Sequence, residues 1–90
     1  MPVIRFPAAL KYYLENHSEV DIPASNVTDL LAALVTRYPS LRFHLLDEDG
    51  ELRRHFNIFV NGNHIRELNG MDTVLKPEDK VLLLASAAGG

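Results

Sequence analysis

The sequence predicts an α+β fold in which a mixed sheet of four to five strands packs on one main helix. Three observations predict it: one strong helical repeat of apolar residues between positions 27 and 38, short strand-like runs on both sides of it, and polar or proline-bearing turns between those runs.

Val3-Ile4-Arg5-Phe6 reads as the first short strand, with Pro2 and Pro7 outside it because proline removes a ladder donor. A second strand falls around Glu19 to Ile22 and is ended by Pro23. The two form an N-terminal hairpin whose loop, Ala8 to Leu14, has the composition to hold a helical turn. Asn26 caps the helix that follows, and Asp29 places a carboxylate at its positive end. Val27, Leu30, Leu31, Leu34, Val35 and Tyr38 recur at spacings of three and four and make one apolar stripe, which Pro39 terminates.

Leu41 to Leu46 supplies a short helical piece, and Asp47-Glu48-Asp49-Gly50 is a polar turn. Phe56 to Val60 is a strand with Phe56, Ile58 and Val60 on one face and Asn57 and Phe59 on the other. Asn61-Gly62-Asn63 signals a tight turn, with a return strand expected to begin at Ile65. Met71 to Leu75 is a short connecting turn or helical piece, and Pro77-Glu78-Asp79 leads into the last strand, Lys80 to Leu84. A right-handed crossover through the helix places the last strand beside the first in parallel, the arrangement called a β-grasp. The expected division is a domain over residues 1–86 and a flexible tail over 87–90.

Bulk properties narrow the chemistry. Ninety residues suit one domain, and the lack of cysteine removes disulfides, thiol nucleophiles and thiolate metal ligands. No basic N-terminal region runs into an apolar stretch, and no apolar run approaches the roughly 20 residues that span a bilayer, so the expectation is a cytoplasmic protein without a membrane partner. The charge of −3, from 12 acidic and 9 basic residues, argues against nucleic acid as a partner. His17, His44, His55 and His64 match no zinc spacing and read as scattered surface residues, so no metal is expected. No phosphate-binding loop is present, so no bound cofactor is expected either. The enzyme reading is poor because no serine has a partnered histidine in a recognisable local motif.

The last strand carries large apolar side chains on both faces. One face meets the helix, and the other gathers Phe59, Leu82 and Leu84. Two readings are open for that second face: an exposed docking surface, or a surface partly covered by the 42–46 segment and the loops.

Beyond the strand stand Ala87, Ala88, Gly89 and Gly90. Small residues let a narrow cleft admit the backbone without a side-chain clash, so the expectation is a tail that threads into a partner's active site and presents the Gly90 carboxylate. A carboxylate is a poor acyl donor until activated, and this chain has no apparatus for binding the nucleotide that would activate it. Another protein must do that work.

The chain resembles the ThiS/MoaD family of ubiquitin-like sulfur carriers. The resemblance rests on Asn26-Val27-Thr28-Asp29-Leu30-Leu31, on Phe56-Asn57-Ile58-Phe59-Val60-Asn61-Gly62, on Leu75-Lys76-Pro77-Glu78-Asp79-Lys80-Val81 with Glu78 where the family usually has glycine, and on Ala87-Ala88-Gly89-Gly90. Within the family the chain is similar to the carriers of cysteine biosynthesis, with the molybdopterin and thiamine carriers as relatives. The resemblance implies a ubiquitin-like β-grasp and a Gly90 carboxylate adenylated at the expense of ATP by an E1-like partner enzyme. It also implies conversion to a thiocarboxylate by a sulfurtransferase or other sulfur source, and delivery of that sulfur to an accepting biosynthetic enzyme. The main alternative is a ubiquitin-like modifier conjugated to lysines through Gly90. A third is a binding domain of the same fold whose glycines are incidental.

Overall fold

The computed structural model describes residues 1–86, so the expected tail at Ala87 to Gly90 lies outside the described residues. Five strands form one mixed sheet: β1 (Val3–Arg5), β2 (Glu19–Asp21), β3 (Phe56–Val60), β4 (Asn63–His64) and β5 (Lys80–Ala85). Their spatial order is β2-β1-β5-β3-β4. The first strand pairs parallel with β5, and the remaining neighbours pair antiparallel.

The main helix, α1 (Val27–Arg37), begins where the Asn26 side chain accepts a hydrogen bond of 2.7 Å from the Asp29 amide. That bond satisfies one of the amides that a first helical turn leaves unpaired. Val27, Leu30, Leu31 and Leu34 of the helix are buried, each at about 1.5–3 kcal/mol relative to exposure. They meet Ile4, Ile58, Val81 and Leu83, the inward-facing residues of β1, β3 and β5. The sheet therefore has an inner face covered by helix.

The hairpin loop folds as a 3₁₀ helix over Ala8–Leu14, with Leu10 and Leu14 buried in the same core. After α1, a 3₁₀ turn (Pro39–Leu41) runs into a short helix, α2 (Arg42–Leu45), whose Leu45 is fully buried. The acidic turn follows, held by the Asp47 carboxylate, which accepts hydrogen bonds from the amides of Asp49 and Glu51 at 2.9 and 3.0 Å.

The return strand after the tight turn differs from the expectation. It is Asn63–His64, and Ile65 opens a 3₁₀ helix over Ile65–Glu67 instead of starting a strand. Asn61 and Gly62 both have positive φ, 51° and 88°, which closes a two-residue turn and places Asn63 directly opposite Val60. Ile65 then leaves the ladder because its side chain is buried in the core.

The approach to β5 is pinned by Asp79, only 8% exposed. Its carboxylate accepts from the Lys76 amide at 2.8 Å and from the Asn61 side-chain amide at 2.9 Å, and the Asn61 side-chain Oδ1 accepts from the Lys80 amide at 3.0 Å. These bonds hold the Asp79 carboxyl below its ordinary value, the Lys76 amide contributing most and the Asn61 amide next, against the opposing effect of burial. The turn before β5 and the β3–β4 turn are thereby locked together.

Candidate functional site: the outer sheet face and the end of the last strand

Strand alternation decides what the outer face carries. Because Ile58, Val81 and Leu83 point inward, Asn57, Phe59, Leu82 and Leu84 point outward. The register brings them together: Phe59 lies opposite Leu82, and Asn57 lies opposite Leu84. Phe59 and Leu82 are half-buried, and Leu84 is 40% exposed. The 42–46 segment contributes Leu45 to the inner core, and the outer trio keeps its exposure. The outer face is therefore apolar and partly exposed at Phe59, Leu82 and Leu84.

The patch has polar borders. On the β1 side Arg5 stands beside Leu82 in the parallel ladder and forms an exposed ion pair of 3.8 Å with Glu19. On the β4 side the His64 ring meets the Phe59 ring edge-on at a centroid distance of 5.1 Å.

His64 also starts a side-chain relay. Its Nδ1 accepts from the Arg66 amide at 3.0 Å, which requires that nitrogen to be unprotonated and places the imidazole proton on Nε2. Nε2 then donates to the Asn57 Oδ1 at 3.0 Å, and the Asn57 Nδ2 donates to the Ser86 hydroxyl at 2.8 Å. The Ser86 amide donates in turn to the His55 carbonyl. Ser86 follows directly on β5, so the relay holds the chain just past the end of that strand.

Sequence reasoning missed this relay. It placed Asn57 on the correct face, and the two-residue turn held enough information to set His64 opposite Phe59. The link to Ser86 depends on β3 pairing with β5, which periodicity does not encode. Two of the other histidines pack locally, His44 on Tyr13 at 4.0 Å and His55 on Phe56 at 4.3 Å, and His17 is exposed. Among the described residues, no three His, Cys, Asp or Glu side chains gather as a metal site would need. No described helix is long and apolar enough to cross a membrane.

Comparison with known proteins gives a consistent result. The ThiS family matches residues 4–90. A candidate sulfur carrier protein of Archaeoglobus fulgidus is 32% identical over 89 residues, covering 97% of this chain and 96% of that one. The sulfur carrier protein CysO of Mycobacterium tuberculosis is 26% identical over 89 residues, with the same coverages of 97% and 96%. The solution structure of small archaeal modifier protein 1 from Methanosarcina acetivorans superposes with a TM-score of 0.85 at 32% identity, over 99% of this chain and 95% of that one. The fold is thus the ubiquitin-like β-grasp.

Proposed function

This chain belongs to the ThiS family, and on that footing we propose that it is a cytoplasmic sulfur carrier whose reactive group is the carboxylate of Gly90. An E1-like partner enzyme binds the outer face around Phe59, Leu82 and Leu84 and draws Ala87, Ala88 and Gly89 into its cleft. The Gly90 carboxylate attacks the α-phosphorus of ATP in that enzyme, and pyrophosphate leaves. A sulfide or persulfide sulfur, supplied by a sulfurtransferase or other source, then attacks the acyl carbon and AMP leaves. Where a persulfide is the donor, a thiol reductant cleaves the resulting acyl disulfide and frees the thiocarboxylate. The thiocarboxylate hands its sulfur to a biosynthetic enzyme, and similarity to CysO favours the cysteine-type acceptors. The protein itself needs no bound cofactor and acts as a substrate of other enzymes.

The observation that carries this reading is that the family match runs to Gly90, in a chain with carrier relatives along nearly its whole length. A second reading, a modifier joined to lysines through the same carboxylate, draws on the likeness to small archaeal modifier protein 1. Intact-mass measurement on protein from its native cells, prepared without reductant, separates the two. The carrier predicts a gain of about 16 Da, the excess of sulfur over oxygen, lost on deletion of Gly90 and capped by one alkylating label. Conjugate ladders with an unshifted free mass would favour the modifier.

A further inference from the structure

A groove of about 420 Å³ opens beside β3, and it shares only His64 with the border of the outer patch. Leu52, Phe56 and Met71 give it an apolar floor, and Arg53, Arg54 and Arg66 stand around it. Three of the chain's nine cationic side chains therefore border one depression, in a protein whose net charge is −3, and among the described residues no carboxylate lines it. Among the described residues the sole ion pair within 4 Å is Arg5 with Glu19, so none of the three arginines makes one, although Arg53 also borders a second depression with Asp47 and Glu48. Arg53 is held in place, its Nε and Nη2 both donating to the Phe43 carbonyl at 3.3 and 3.1 Å. Arg54 and Arg66 are exposed and make no side-chain hydrogen bond among the described residues.

We propose that this groove is a second docking site, distinct from the outer face, that takes an acidic segment of a protein partner with an apolar side chain seated on the floor. The charge is complementary to carboxylates, and guanidinium forks match carboxylate geometry in pairs. The floor decides between kinds of anion: a bare phosphate gains nothing from Leu52, Phe56 and Met71, whereas an apolar side chain flanked by carboxylates uses both features. Single-stranded nucleic acid would want exposed aromatic platforms, and the aromatic ring here, Phe56, is 92% buried, being 8% exposed. His64 also lines the groove and donates to Asn57, so an occupant is readable at the Asn57 side-chain amide. The proposal does not depend on the chemistry of Gly90.

The test is a heteronuclear NMR titration of the full chain with a capped peptide carrying two leucines flanked on each side by glutamates. The expected result is saturable shifts at Leu52 to Phe56, His64 to Arg66, Met71 and the Asn57 side chain. A matching peptide with glutamines should bind at least about tenfold more weakly, as should the Arg54→Glu, Arg66→Glu double variant, whose dispersion and melting temperature check its fold. Arg53 is left intact because it holds Phe43. Shifts elsewhere, no saturation, or equal binding of the glutamine peptide would overturn the proposal. So would inorganic phosphate or a single-stranded oligonucleotide producing the same shifts at lower concentration than the peptide.

Discussion

The Asn57 side-chain amide donates to the Ser86 hydroxyl at 2.8 Å, joining residues 29 positions apart just past the end of β5. Asn57 is itself oriented by His64, so two outward-facing polar residues fix the root of a segment proposed to enter another protein's cleft. Removing the grip should alter presentation of the tail more than stability of the fold. For Asn57→Ala we expect a loss of no more than about 1 kcal/mol, because the bonds are partly solvated. The Ser86 amide should exchange with solvent faster, and the KM for a cognate activating enzyme should rise with kcat little changed. Asn57→Gln should not restore the geometry, since one extra methylene displaces both amide atoms.

Asp79 makes the fold sensitive to acid. Its carboxyl sits below the ordinary value of 3.8, first through the Lys76 amide and then through the Asn61 amide. A depressed value in the folded state stabilises above the unfolded-state value, and that contribution is lost as pH falls through 3.8 and below. Urea unfolding across this range should show the loss in the native chain. Asp79→Asn should be less stable by about 1–2 kcal/mol at neutral pH, because its amide keeps one accepting oxygen and turns its NH2 against the other donor, and its acid dependence should be flatter.

Leu84 tests the outer face with little disturbance to the core. It is 40% exposed and lies across from Asn57. Leu84→Glu should change stability by less than about 1 kcal/mol, the span of strand propensities. It should weaken capture by an activating enzyme, read as a raised KM for this protein, if the patch of Phe59, Leu82 and Leu84 is where that enzyme docks. An unchanged KM would move the docking site elsewhere.

Gly62 tests the β3–β4 turn. Its φ of 88° suits glycine, and an added methyl would meet open space, so the cost of Gly62→Ala is conformational rather than steric. We expect about 1 kcal/mol of destabilisation in thermal or denaturant unfolding. The peptide groups of Asn61 and Lys80 should lose hydrogen-exchange protection with it, since Asn61 bonds to both Lys80 and Asp79.

Much of the fold was legible in the sequence because it is written locally. Asn26, the stripe from Val27 to Tyr38, and Pro39 specify α1 by capping, period and steric exclusion, none of which needs a distant partner. The alternation of Phe56, Ile58 and Val60 with Asn57 and Phe59 specifies which side of β3 is inward. The position of β4 was misjudged because two forces compete at Ile65: continuing the ladder, or burying the side chain in the core. Burial wins, at 8% exposure.

Local pattern was enough for the α+β class, the main helix, and the inward and outward faces of β3 and β5. Those follow from periodicities of a few residues and from side-chain composition. Only the tertiary structure decided that Phe59 meets Leu82, that His64 and Asn57 reach Ser86, that Asp79 clasps Asn61, and that three arginines share one groove. Each of these joins distant segments through strand pairing and loop paths. The physical reason is that neighbours across a sheet are chosen by how the whole chain buries its apolar faces at once, which no local pattern records.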